Sequence, residues 1–298
     1  AFASSLVVVG DSGVLIVDTQ QSPDAARDLV RALPTITDRP VRWIVNTHWH
    51  GDHVYGNIAW KQAFPDAVIL GHRSLLRDVP GRAAPARDQE VLDLPATIAD
   101  RRRWLADGHR DGVPLDSAAR AAVAYSLDLR QRYLAQLRDL PLLPPDRPID
   151  DALTLDLGGI AVRLLHVGPA HTPGDLVVHV PDARVLAVGD LLEWGTPWID
   201  GACVSGWARA LDRLRDLPAD TILMSHGPLA GPEFLGLYAD LLDALARGRD
   251  LEPFRAPLAG IGVSDATFDR FLAAAAASSP AAATPDTPAA GPQDPCTP

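Results

Sequence analysis

Cysteine is almost missing from this chain, with two in 298 residues, Cys203 and Cys296. Two cysteines do not make the framework that staples a small secreted domain, and Cys296 sits in a low-complexity tail. Cys203 reads as a small packing residue. Such low usage fits a reducing compartment. Long apolar runs are also missing. None approaches the roughly 20 residues that span a bilayer, so no membrane association is expected. Basic charge is scarce, with 27 Lys and Arg against 38 Asp and Glu, a net charge of −11. Such a surface repels phosphate backbones, which speaks against a nucleic-acid partner and leaves a small-molecule substrate as the expected partner. No short-period repeat is visible.

What is present is ordinary for a globular protein. Apolar residues make up 47% and charged residues 22%, and the length suffices for one large domain or two small ones with a sizeable core. The chain opens at Ala1 inside what already reads as a strand, so an N-terminal segment, with any signal peptide, is expected to be missing from this sequence. Localisation stays open, with a slight lean to the cytoplasm, and so does the oligomeric state.

Along the chain, Ser5–Thr19 holds two β-branched runs around Gly10-Asp11-Ser12-Gly13, a hairpin signal. Ser22-Pro23 offers an N-cap and an N1 proline for a helix near Pro23–Leu33. Val41–Asn46 reads as a buried strand, Thr47–Asn57 as a loop, Ile58–Phe64 as a short helix and Ala67–Leu70 as a strand. From about Pro80 to Pro148 the composition turns to Arg, Ala, Asp and Leu. Asp116–Leu140 has helical apolar spacing, so this stretch reads as a helical insertion that either covers a cleft or packs on one edge. Asp93, Asp100 and Arg101–Arg103 read as its solvated face. Strand signals resume at Ala152–Leu157, Ile160–His166, Leu176–Val180 and Arg184–Val188. A helix over Val204–Leu217, a strand over Thr221–Met224 and a helix over Glu233–Arg247 follow. Strands then helices, twice over, predict an α/β protein, a four-layer αβ/βα sandwich. From about Ala273 the chain is Ala, Pro, Ser and Thr and is expected to be disordered.

The chemistry concentrates in Asn46-Thr47-His48-Trp49-His50-Gly51-Asp52-His53. Three imidazoles and a carboxylate in six residues are donors that zinc and similar borderline metals prefer. The segment follows a buried strand, where sites of layered α/β folds commonly lie. A tight loop there can turn His48 and His50 to one side and Asp52 and His53 to another, which suits two adjacent ions. Nine histidines in the whole chain do not place three in six residues by chance. His171, Asp190 and His226 each stand where an apolar strand meets a Gly- or Pro-bearing turn. Each alone is a weak signal, because a turn-capping His or Asp is commoner than a ligand. Together with the first cluster, seven donors can complete two metal shells.

This pattern resembles the metallo-β-lactamase superfamily. Its His-x-His-x-Asp-His motif matches His48, His50, Asp52 and His53, and its later His, Asp and His match His171, Asp190 and His226 in order. The resemblance covers roughly Ser5 to Leu229. It implies the αβ/βα sandwich over residues 1–250 with a helical insertion at about 80–148, then a C-terminal extension over 251–272 and the disordered tail over 273–298. It also implies two zinc ions per chain, with iron or manganese as alternatives. His48, His50 and His171 would hold the first, Asp52, His53 and His226 the second, and Asp190 would bridge them. The activity implied is hydrolysis of an ester, thioester, lactone or amide by a hydroxide bridging the two ions, with Asp52 the catalytic residue that also orients it.

His171-Thr172-Pro173-Gly174 and His53 look like the branch with subclass B3 lactamases. A bridging carboxylate such as Asp190 is instead typical of glyoxalase II enzymes and lactonases, which leaves β-lactamase activity a side reaction. The rival class is a mononuclear iron persulfide dioxygenase, which shares many ligands. Diiron flavoproteins usually carry Glu at the second histidine, and His50 is intact here. A nuclease is disfavoured by the acidic charge. Outside the motif, His166 and His179 read as structural strand residues, and His72 as a neighbour of the site at most. Trp49, Trp194 and Trp198 suit the pocket wall as well as the core.

Overall fold

The computed structural model describes residues 3–277 and 296. The chain begins with the hairpin β1 (Leu6–Gly10) and β2 (Gly13–Val17), paired antiparallel. Helix α1 (Pro23–Ala32) follows; the Ser22 hydroxyl accepts from the Ala25 N–H and Pro23 stands in the first turn, the combination that starts a helix without an orphaned donor. Next come β3 (Val41–Val45), α2 (Gly51–Val54), α3 (Asn57–Ala63), β4 (Val68–His72) and α4 (Leu75–Asp78). Two long helices form an arm, α5 (Ala84–Asp107) and α6 (Ser117–Leu137), joined by the small hairpin β5 (His109–Arg110) and β6 (Val113–Pro114). The chain returns through β7 (Arg147–Ile149), β8 (Ala152–Asp156), β9 (Ala161–His166), β10 (Leu176–Val180) and β11 (Val185–Glu193). It closes with α7 (Val204–Leu214), β12 (Thr221–His226), α8 (Glu233–Ala246), α9 (Arg255–Ala259) and α10 (Asp265–Ala277).

The strands form two five-stranded sheets, β1-β2-β3-β4-β7 and β12-β11-β10-β9-β8. Alternation along each strand decides the layering. In β2, Leu15 and Val17 enter the core between the sheets, while Val14 and Ile16 face α1 and α3 with Ala26 and Trp60. In β10, Leu176, Val178 and Val180 meet them from the other sheet, and Val177 points into the cluster built with α7 and α8. The molecule is therefore helix, sheet, sheet, helix, with an apolar core in each of the three gaps, as the strand and helix order led us to expect.

Several details differ from the sequence reading. The loop expected over Thr47–Asn57 contains the one-turn helix α2. Strand β11 does not stop at Val188 but continues to Glu193. Helix α7 ends at Leu214, short of Leu217. The tail expected to be disordered from Ala273 is helical over its first residues, which complete α10; Phe268 and Phe271 of this helix pack into the cluster with α7 and α8. Apart from Cys296, the rest of that tail lies outside the described residues. Cys203 is buried, as a packing residue should be, but it is also joined by a disulfide to Cys296, 93 positions on. Such a bond persists in oxidising surroundings, so low cysteine usage no longer supports a reducing compartment. No helix among the described residues is long and apolar enough to cross a membrane.

Candidate metal centre

All seven expected donors meet at one end of the sandwich. His48 and His50 leave the end of β3, and Asp52 and His53 ride on α2. His171 comes from the loop between β9 and β10, and His226 is the last residue of β12. The two sheets are tied together here, because the Leu176 N–H donates to the Thr47 carbonyl at 2.8 Å. Asp190 was expected at a turn and lies inside β11 instead. The parallel register with β12 shifts at Gly189, whose φ of +58° is in the left-handed region. A Cβ at this glycine would stand 3.0 Å from the Thr47 hydroxyl, so glycine lets the strand bring Asp190 up to the donor loop.

The donors fall into two groups, His48, His50, His171 and Asp190 in one and Asp52, His53 and His226 in the other, with the ligand atoms of each within 4.8 Å of one another. In the first, His50 Nδ1 lies 3.0 Å from both His48 Nε2 and His171 Nε2. That spacing is close to what nitrogens about 2.0–2.1 Å from one tetrahedral ion require. In the second, His226 Nε2 is 3.0 Å from Asp52 Oδ2, and His53 Nε2 is 3.6 Å from Asp52 Oδ1. Asp190 stands between them. Its Oδ2 is 3.4 Å from His48 Nε2 and 3.7 Å from His171 Nε2, while its Oδ1 is 3.3 Å from His53 Nε2 and 3.6 Å from His226 Nε2.

Burial and neighbours set the proton states. Desolvation, reinforced by the facing imidazoles, pushes His48 down to about 4 and His50 and His171 to about 3, so all three are neutral near pH 7 with lone pairs to offer. For His53, burial is outweighed by the Asp190, Asp52 and Asp18 carboxylates, which raise it well above its ordinary value. The Asp190 and Asp52 carboxylates beside it raise His226 to about 10. Burial resists ionisation of Asp52 and Asp190, yet His53 and the other imidazoles beside them hold both carboxyls below the usual range.

A cation fits this arrangement. His53 Nε2 and Asp190 Oδ1 are buried and make no hydrogen bond, although buried polar atoms are rarely left so. Both point into the space between the two groups. The far nitrogens of two of the ligating rings are engaged, as second contacts of metal ligands usually are, whereas Nδ1 of His171 and of His226 is buried without a hydrogen bond. His53 Nδ1 is 2.8 Å from Asp18 Oδ2, and His48 Nδ1 is 3.0 Å from the Thr47 hydroxyl, which itself donates to Asp18. The fold and this His/Asp cluster thus point to a metal-binding site.

Asp18 was not singled out in the sequence. It is buried, takes the Thr47 N–H at 2.8 Å, and has a φ of +58°, unusual for a residue with a side chain. Its only sequence signal is an acid closing the fully apolar strand β2. Glu193, at the end of β11 opposite His226, was missed as well; burial and the nearby Asp190 charge raise its carboxyl to about 8. Other residues stay outside the donor groups. His179 is buried in β10 with Nε2 3.1 Å from the Pro218 carbonyl, and His109 is exposed. His72 and His166 stack on each other with ring centres 3.8 Å apart beneath the loop that carries His171. Trp194 and Trp198 are exposed just past Asp190, and the Trp194 N–H donates to the His226 carbonyl at 2.7 Å. Trp49 packs towards the helical arm.

Comparison with known proteins bears on the family and the fold. The family model described as the metallo-beta-lactamase superfamily matches residues 1–226. The chain is 28% identical over 242 residues to a linear primary-alkylsulfatase of Pseudomonas sp. (strain ATCC 19151), which covers 76% of this chain and 42% of that protein. It is 26% identical to 2,4-dinitroanisole O-demethylase subunit alpha of Nocardioides sp. (strain JS1661), over 84% of this chain and 62% of the relative. The chain thus spans less than two thirds of the length of either relative. A solved metallo-beta-lactamase from Pontibacter korlensis shares the fold, with a TM-score of 0.52, 18% identity, and coverage of 81% of this chain and 87% of that one.

Proposed function

Because the chain belongs to the metallo-beta-lactamase superfamily, we propose that it is a metal-dependent hydrolase with two zinc ions, acting on an ester, thioester, lactone or amide of a small molecule. His48, His50 and His171 hold one ion in this reading, Asp52, His53 and His226 hold the other, and Asp190 is shared. The observation that carries it is Asp190, whose two oxygens face the two donor groups separately, with Oδ1 and His53 Nε2 buried and unbonded. Zinc bound there would lower the pKa of a coordinated water towards neutrality and polarise the scissile group.

The chain's own residues do the positioning. Asp52, ionised and part-exposed at the mouth of the site, accepts a proton bond from the attacking water and aims it. Asp190 stays ionised and fixes the spacing of the two groups. Asp18 fixes the ring of His53 through Nδ1, and Thr47 does the same for His48, so each presents Nε2 inward. No separate Ser or Cys nucleophile is needed.

A second reading, a sulfate ester as substrate, is favoured by the similarity to the alkylsulfatase. A one-iron oxygenase is the remaining rival, separated by metal analysis. We expect about two zinc per chain in protein purified without added metal, as the donor count requires. The functional test is a panel of nitrocefin, an acyl-homoserine lactone, S-lactoylglutathione, aryl esters and an alkyl sulfate, each with and without chelator. Hydrolysis that survives complete metal removal would overturn the proposal, and one iron with oxygen consumption would replace it.

A further inference from the structure

The helical arm does not merely pack on an edge. Val54 and Tyr55, directly after the donor loop, share one buried cluster with Ala83, Leu137 and Leu140 of the arm and its approaches, with Trp49 and Tyr133 against it. Trp49 lies between His48 and His50, and Tyr55 is one turn beyond Asp52. Helix α2 has only four residues. A helix that short does not hold itself together, so its orientation comes from what it touches.

Three contacts stand out. The Tyr55 ring lies across Gly51, where a Cβ would come within 2.4 Å of it, so the seat of this ring sets the first turn of α2. The Tyr55 hydroxyl is buried and donates to the Ala83 carbonyl at 3.2 Å, at the start of α5. From the other side, the Tyr133 hydroxyl on α6 donates to Glu90 Oε2 at 2.7 Å. One half-buried carboxyl on α5 thus holds the α6 tyrosine that packs on the cluster seating Tyr55, next to the helix that carries Asp52 and His53.

We propose that Glu90 is a positioning residue for the donor loop, fixing Tyr133 against the cluster that seats Tyr55 so that α2 presents Asp52 and His53 in the geometry of the second donor group. The assignment rests on the metal reading of that group. Indirect partners of metal ligands typically change metal affinity by about 10–100-fold when removed, and Glu90 acts one residue further out, so about tenfold is expected at the second group.

The test compares wild type with Glu90→Ala, Glu90→Gln, Tyr133→Phe and a control, Ile98→Ala, which loosens the arm at a buried residue of α5 without touching the clamp. Zinc titration should show the weaker-held ion bound about tenfold less tightly in Glu90→Ala, with a changed visible spectrum of the cobalt-substituted protein. Glu90→Gln, which keeps the shape and an acceptor oxygen, should restore most of both, and Tyr133→Phe should fall between. Ile98→Ala should lower the melting temperature and leave affinity and spectrum alone. Wild-type affinity and spectrum in Glu90→Ala, or an equal effect in Ile98→Ala, would overturn the proposal. If wild type takes up no second ion, the metal reading fails, and amide exchange in metal-free protein then judges the clamp. His53 and Tyr55 should exchange faster in Glu90→Ala than in Ile98→Ala; equal rates would end it.

Discussion

The two donor groups are built from the same kinds of side chain and behave in opposite ways. In the first, three imidazoles face one another, nearly all sealed from water, and each penalises charge on the next, so all are neutral. In the second, His53 and His226 each face Asp52 and Asp190 and hold a proton. The second also lies nearer solvent, with the His226 and Asp52 side chains 21% and 26% exposed against 1% for His48 and His171. What differs is the ratio of carboxylates to imidazoles around each ring. The first group is ready for a cation as it stands, whereas the second must release protons to take one.

The strongest way to break this contrast is to remove the residue both groups share. Asp190→Ala should empty or weaken both and cut hydrolysis by about a thousandfold or more, since bound metal supplies several kcal/mol of transition-state stabilisation. His171→Ala and His226→Ala should each lose one ion, counted by metal analysis. If Asp190→Ala kept two ions and full activity, the sharing would be wrong.

A gentler test is pH. His53 and His226 are raised, so both are protonated in the metal-free protein at neutral pH, and cation binding must displace those protons. Affinity at the second group should therefore fall as pH falls, by about tenfold per pH unit for each proton displaced. The first group, whose imidazoles titrate at about 3 to 4, should keep its affinity down to that range. Calorimetry in buffers of different ionisation enthalpy reads the proton count, and equal proton release from both groups would erase the contrast.

Asp18→Asn sharpens it further. This side chain bonds His53 directly and reaches His48 only through the Thr47 hydroxyl, so zinc affinity should drop by about 10–100-fold at the second group and by less at the first. The smallest effect concerns the stacked pair His72 and His166. Burial, with the neighbouring His166, lowers His72 from 6.5 to about 4, and burial also lowers His166. A histidine held neutral by the fold contributes stability that is lost as pH falls from 6.5 towards 4, because the unfolded chain takes the proton first. Denaturant melts of metal-free protein should become less stable over that window, and His72→Gln should flatten the slope. An unchanged slope would remove the pair from the pH response.

Much of the molecule was legible before any coordinates. The near-continuous apolar runs of β2 and β10 announce strands buried on both faces, and Ser22-Pro23 announces α1, because these signals are local. The donor loop is local too, with four of the seven donors inside six residues. His171, Asp190 and His226 could be found only as companions of that loop, and the placing of Asp190 within β11 was not readable at all, because it depends on a register shift against β12.

The amino-acid order by itself determined the layers and the chemical character of the donors, since hydrophobic period and residue type act over a few neighbouring positions. Only the tertiary structure decided which imidazoles are neutral and which carry protons, that Asp18 backs His53, that Glu90 joins the two arm helices through Tyr133, and that Cys203 meets Cys296. Each of these depends on the distance between groups far apart along the chain. Electrostatics and hydrogen bonds respond to that distance and not to sequence separation.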